Sequence, residues 1–273
     1  MTFVPHHRLI APSGAGKLAF VLHGALGSGQ NFTRFAQRLA AARPEYRYAL
    51  VDLRHHGQSA GAPPPNTLAA CAADLAALSA ALGDEPALVI GHSFGGKVAL
   101  EFARQGLSSA LAQVWVLDSL PGAHADPGDS EITRVIAAVR SVPMPAASRR
   151  DVTESLVQHS GLSSGLAEWM GTNLKRSADG RYTWVFDVDA IEELMRDYFR
   201  VELWPFLEAP RERPELHLVV AERSDRWTPE LRARARALPP STRVSYLALP
   251  NSVHWVHVDN PDGLLALLRE HLP

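Results

Sequence analysis

A single cysteine, Cys71, stands among the 273 residues, which excludes an intrachain disulfide framework and a cysteine-based zinc site. It lies in an alanine-rich helical stretch and reads as a small buried apolar residue rather than a reactive thiol. An excess of charge of one sign is missing too. Lys and Arg number 27 against 29 Asp and Glu, for a net charge of −2, and the arginines are dispersed, so neither a nucleic-acid face nor a polybasic membrane anchor is advertised. No stretch approaches the ~20 apolar residues that a membrane-spanning helix needs. Residues 1–10 lack a basic region followed by a long apolar run, so no signal peptide is read, and a reducing, cytoplasmic compartment is the expectation. Low-complexity sequence is confined to residues 61–66, where three prolines mark a rigid surface loop.

What is present is a core's worth of apolar residues, 46% of the chain, enough for one large domain or one domain carrying an insertion. Short continuous apolar runs alternate with helical patterns. Strands are expected at Lys17–Leu22, Tyr46–Val51, 87–90, Gln113–Leu117, 215–220 and Val244–Leu249, and helices at 31–42, 67–82, 96–104 and 262–272. Uninterrupted apolar runs suit strands buried on both faces, and repeated β–α units imply a mostly parallel central sheet with helices on both faces. Residues 121–210 break this rhythm. They hold amphipathic segments at 131–142, 150–159, 166–174 and 190–199, with an alternating piece at 181–186. This is read as a helical cap inserted into a core made of residues 1–120 and 211–273, lying over the strand ends where ligands bind in open α/β sheets. The segment Ser13-Gly14-Ala15-Gly16-Lys17 superficially matches a phosphate-binding loop. Ala11 and Leu18 stand where that motif needs Gly and Ser or Thr, so it is read as a plain turn.

Gly91-His92-Ser93-Phe94-Gly95 carries the chemistry. A G-x-S-x-G turn between an apolar strand and a helix is so tight that glycines must flank the serine. The serine is left in a strained backbone geometry with its hydroxyl projecting from the sheet edge, and the following helix points N–H groups at the same spot, where they would stabilise a developing oxyanion. Ser93 is therefore the expected nucleophile. A serine nucleophile needs a base that can take and return a proton near neutral pH, and imidazole is that group.

His23-Gly24, the run from Asp52 through His56-Gly57 to Ser59, Gly91 to Gly96, and His254-Trp255-Val256-His257 with Pro261 together resemble the motif series of the α/β-hydrolase superfamily. The likeness extends over nearly the whole chain and leans toward small bacterial serine esterases and mitochondrial abhydrolase-domain hydrolases. The resemblance implies an α/β-hydrolase fold, no cofactor and no metal. It makes His254, seven residues ahead of Pro261, the base, although Val253 replaces the glycine usual before that histidine. It makes the backbone N–H groups of Ala25 and Phe94 the oxyanion hole, with Leu26 as the alternative to Ala25. His55 and His56 then belong to a structural turn, His92 supports the elbow, and His257 stabilises the His254 loop.

Two carboxylates qualify as the acid that orients the imidazole. Asp225 follows the penultimate strand, where most family members keep theirs, but the family's three-residue count from Ala221 reaches Ser224 instead. Asp118 follows the preceding strand, as in the esterase branch, and is favoured over Asp225. The substrate pocket is expected among Leu26, His92, Trp184, Phe186 and Trp255, with Trp169 and Trp204 as further apolar candidates. The resemblance implies hydrolysis of carboxylic esters or thioesters of small to medium acyl chains through an acyl-enzyme. Carbon–carbon hydrolysis and a lyase of the menaquinone-pathway type use the same triad and stay open. A catalytically silent fold that only binds a ligand is the reading from a different class. Dehalogenase and epoxide-hydrolase chemistry is disfavoured, because both attack with a carboxylate rather than a serine.

Overall fold

A computed structural model describes residues 3–11, 16–124 and 130–273, so most of the phosphate-loop lookalike, residues 12–15, lies outside the described residues. Strand β1 (His7–Ile10) opens the chain, followed by β2 (Lys17–Leu22), α1 (Thr33–Ala42), β3 (Tyr46–Val51), α2 (Leu68–Leu82), β4 (Pro86–His92), α3 (Phe94–Arg104) and β5 (Gln113–Leu117). Between β5 and the next sheet strand come α4 (Glu131–Ser141), α5 (Arg149–Gln158), α6 (Ser164–Gly171), β6 (Leu174–Arg176), β7 (Tyr182–Trp184), α7 (Val188–Arg200) and α8 (Trp204–Glu208). The chain then returns through β8 (Glu215–Ala221), α9 (Pro229–Arg236), β9 (Val244–Leu249), α10 (Val256–Asp259) and α11 (Pro261–His271).

Seven strands form one sheet in the order β1-β3-β2-β4-β5-β8-β9. All neighbouring pairs are parallel except β1 with β3, which is antiparallel. The continuous apolar runs have the expected consequence. Along β2, Leu18, Phe20 and Leu22 enter one core, while Ala19 and Val21 enter the other, on the opposite face. The second core is closed by Phe35 and Leu39 of α1 and by Leu264 and Leu268 of α11. The first is covered by α2 and α3 and runs on without a break into the apolar interior of the 131–208 insertion, through residues such as Val135, Leu156, Ile191 and Leu207. Each such side chain contributes about 1.5–3 kcal/mol of burial, so the insertion is fastened to the sheet by a shared core.

Three elements differ from the reading of the sequence. Strand β1 is only four residues long, half-buried to exposed, and lacks the strong apolar pattern that marks an inner strand. Helix α9, of sequence PELRARAR, buries only Ala235 and is set by its Thr228 cap rather than by periodicity. Strand β6 pairs antiparallel with β7, giving the alternating segment a hairpin partner where a helix was expected to continue to residue 174. No helix among the described residues is long and apolar enough to cross a membrane.

Candidate active site

Strand β4 ends at His92 and α3 begins at Phe94, leaving Ser93 alone to make the turn. Its backbone sits at φ 50°, ψ −117°, a strained region for a residue with a side chain. The turn is held by Ser93 N–H donating to Leu117 O at 2.9 Å and by Gly96 N–H donating to Ser93 O at 2.9 Å. The flanking glycines are obligatory. A Cβ on Gly91 would lie 2.1 Å from Gly95 O, and one on Gly95 would lie 2.5 Å from His23 O. Phe94 is the first residue of α3, so its N–H has no acceptor within the helix.

His254 lies in the loop after β9, and its Nδ1–H donates to Asp118 Oδ2 at 2.8 Å. Asp118, fully buried at the end of β5, also accepts from Ser224 Oγ at 2.9 Å and from Ala221 N–H at 3.1 Å. Burial raises its carboxyl to about 6 against these donors, so at neutral pH it remains an anion. Asp225 is 90% exposed and lies 3.8 Å from Arg226, and no hydrogen bond joins it to His254. Ser224, at the position the three-residue count reaches, is hydrogen-bonded to Asp118.

Burial is the largest influence on His254, lowering its pKa below the ordinary imidazole value, with Arg226 and His257 acting in the same direction. The imidazole is therefore neutral at rest, with its proton on Nδ1 and a lone pair on Nε2. His92 donates Nε2–H to the carbonyl of His254 at 2.9 Å, tying the loop after β9 to the elbow. Val253 causes no conflict: its side chain is 46% exposed, and its N–H donates to Asp259 at 2.9 Å. His257 is buried, stacked on Phe32 at 4.0 Å.

The segment from Asp52 to Ser59 is a scaffold. Asp52 accepts from Gly29 N–H at 2.8 Å and Gln58 N–H at 2.9 Å, and Arg54 forms a buried bidentate pair with Asp74 at 2.7 and 2.9 Å. His55 contacts Asn66 Oδ1 at 2.7 Å. His56 Nε2 accepts the N–H of Leu26 at 3.1 Å. That removes Leu26 as an oxyanion donor, because its N–H is already used. Ala25, on the same loop, lines the cavity beside Ser93.

A cavity of about 440 Å³ joins these groups, with Ser93, His254 and the Gly24–Ala25–Leu26 backbone on the sheet side. The insertion supplies an opposing wall that includes Val135, Leu166, Trp169, Tyr198 and Phe199, while Leu120 and Trp255 complete the apolar lining. Of the residues expected in the pocket, Leu26, His92 and Trp255 line it, as does Trp169. Trp184 and Phe186 do not. They are buried and stacked on each other at 5.2 Å inside the insertion, because an apolar pattern marks burial without saying on which side. Trp204 likewise lies outside the cavity, beneath the guanidinium of Arg234 at 4.3 Å. Arg226 and Glu131, which pair at 3.1 Å, also line the cavity and carried no signal in the sequence. Among the described residues no cluster of three or more His, Cys, Asp or Glu side chains is placed to hold a metal.

A profile of the alpha/beta hydrolase family matches residues 19–267. The chain belongs to that family. It is 29% identical over 255 residues to the sn-1-specific diacylglycerol lipase ABHD11 of Mus musculus, covering 92% of this chain and 79% of that protein. It is 27% identical to esterase YbfF of Escherichia coli, covering 92% of this chain and 91% of the relative. Among solved structures, a marine microorganism esterase superposes with a TM-score of 0.84 at 23% identity, covering 99% of this chain and all of the other.

Proposed function

We propose that this chain is a serine hydrolase that cleaves carboxylic esters or thioesters of small to medium acyl chains through an acyl-enzyme, with residues 121–210 as a cap over the site. The observation that carries the reading is the placement of a strained, elbow-borne Ser93 and an Asp118-bound His254 in one apolar cavity. That the similar proteins include a lipase and an esterase supports it. In this scheme Ser93 Oγ attacks the acyl carbonyl while Nε2 of His254 takes its proton. Asp118 keeps the other proton on Nδ1 and stabilises the imidazolium as it forms. The N–H groups of Ala25 and Phe94 receive the oxyanion, each such donor being worth about 10²–10³ in rate. His254 then protonates the leaving oxygen or sulfur, and activates water to release the acid and regenerate Ser93.

The lining matches this substrate class. A largely apolar cavity of about 440 Å³ suits an uncharged acyl chain bound by burial rather than by ion pairs. The test is turnover of p-nitrophenyl esters from acetate to decanoate by wild type and Ser93→Ala. Turnover with an optimum at short to medium chains, abolished by Ser93→Ala, is expected. Absence of turnover across the series would overturn the ester reading.

A further inference from the structure

Lys97 stands one turn beyond Ser93 on α3 and is completely buried. Its backbone N–H donates to Ser93 O at 3.3 Å, so it is part of the elbow itself. Its side chain leaves the core and ends in the insertion. The ammonium donates to Gly122 O at 2.9 Å, where the chain departs from the sheet, and to Tyr198 O at 2.6 Å, in the last turn of α7. It also lies 4.7 Å from the centre of the Tyr198 ring. A carbonyl in the last turn of a helix has no partner within the helix and carries the negative end of its dipole, which suits a cation. Tyr198, which the ammonium touches, lines the cavity with Ser93, as does Leu120, two residues before Gly122.

We infer that Lys97 is a positioning residue, which pins the cavity wall formed by Leu120 and Tyr198 to the turn carrying Ser93 and so sets which acyl groups reach the nucleophile. This rests on the ester reading above. A buried ammonium is costly unless its hydrogen bonds are met, and here they are met by two insertion carbonyls instead of by a carboxylate. The charged groups around it are otherwise engaged. On α7, Asp197 accepts from Leu68 N–H at 2.8 Å and pairs with Arg200 at 2.6 Å. After α7, Glu202 accepts from Ala123 N–H at 3.0 Å and Trp204 N–H at 2.8 Å. On α3 itself, Glu101 pairs with Arg104 at 2.6 Å. Burial pulls the ammonium down to about 8, against Glu202 and Asp197, whereas burial raises the Tyr198 phenol and keeps it protonated. Above pH 8 the amine keeps two N–H donors but loses its charge, and the wall loosens.

The experiment compares wild type with Lys97→Met, which keeps an unbranched side chain one atom shorter and removes the tie. It measures kcat and KM for the p-nitrophenyl ester series between pH 6 and 10, and amide exchange over residues 119–124 and 198–203. In Lys97→Met the discrimination between best and worst acyl length should fall about tenfold, mainly through KM, the scale of one lost charge-assisted hydrogen bond. Exchange in those two segments should quicken while β4 stays protected. Wild type should lose kcat/KM with a midpoint near pH 8, and the variant should lack that limb. An unchanged length profile, with a wild-type rate flat from pH 7 to 10, would overturn the inference. Should wild type cleave no ester, the proposed function fails and the exchange comparison alone decides the role of Lys97. Should Lys97→Met not fold, exchange of wild type at pH 7 and 9.5, corrected for intrinsic rates, decides it instead.

Discussion

Asp118→Asn isolates the most consequential hydrogen bond in the site. The carboxylate accepts from His254 Nδ1–H at 2.8 Å, Ser224 Oγ at 2.9 Å and Ala221 N–H at 3.1 Å, all buried. An asparagine there has one acceptor oxygen to share among three donors. With its amide nitrogen turned toward His254, the imidazole must carry its proton on Nε2, where the proposed mechanism needs a lone pair. Loss of the tautomer and of the imidazolium's counter-charge costs about 10⁴ in kcat in triads of this type, which is roughly 5 kcal/mol at 1.36 kcal/mol per tenfold. Asp225→Asn changes a side chain that is 90% exposed and should leave kcat within about twofold, as for surface changes generally. The assay is steady-state hydrolysis of the best p-nitrophenyl ester by both variants, with melting temperatures to exclude unfolding. Asp118→Asn retaining kcat within tenfold of wild type, or Asp225→Asn losing more, would refute the assignment.

Further expectations follow from the same geometry. As the proposed base, His254 acts only when neutral, so kcat/KM should rise with pH through its pKa. Burial and Arg226 hold that pKa below 6.5, so the acid limb should lie below pH 6.5, and Arg226→Met should move it upward, as pH–rate profiles would show. Gly95→Ala forces a Cβ to 2.5 Å from His23 O, and should abolish turnover with a loss of several degrees in melting temperature. His217, stacked on Trp115 at 4.4 Å, is held by burial at about 4. A histidine whose folded-state pKa is depressed binds its proton more readily when unfolded, so stability is lost as pH falls from 6.5 toward 4. That loss is on the order of 3 kcal/mol for this residue, and His217→Phe should flatten the fall in urea-unfolding free energy between pH 7 and 4.5 by about that amount.

Much of the sheet was legible because its strands are continuous apolar runs that feed two cores, as the alternation along β2 shows. The elbow was legible because its requirements are local: the backbone contacts at Gly91 and Gly95 leave no room for another residue. What escaped was non-local. The contact between Asp118 and His254 joins residues 136 apart, and sequence order could favour Asp118 over Asp225 without placing either. Trp184 and Phe186 carried an apolar signal that holds equally for a cavity wall and for the insertion's own core. Lys97 and Arg226 gave no signal because a single cation within a helix or loop is ordinary in sequence. Their significance lies in the carbonyls and carboxylates that the insertion folds against them.

The most direct test of the central claim is the intact mass of the protein after brief exposure to a fluorophosphonate at pH 7.5, for wild type, Ser93→Ala and His254→Ala. The account predicts one adduct on wild type, mapped to Ser93, none on Ser93→Ala, and labelling slowed by orders of magnitude in His254→Ala. A wild-type protein that takes no label, or takes it at another residue, would contradict it.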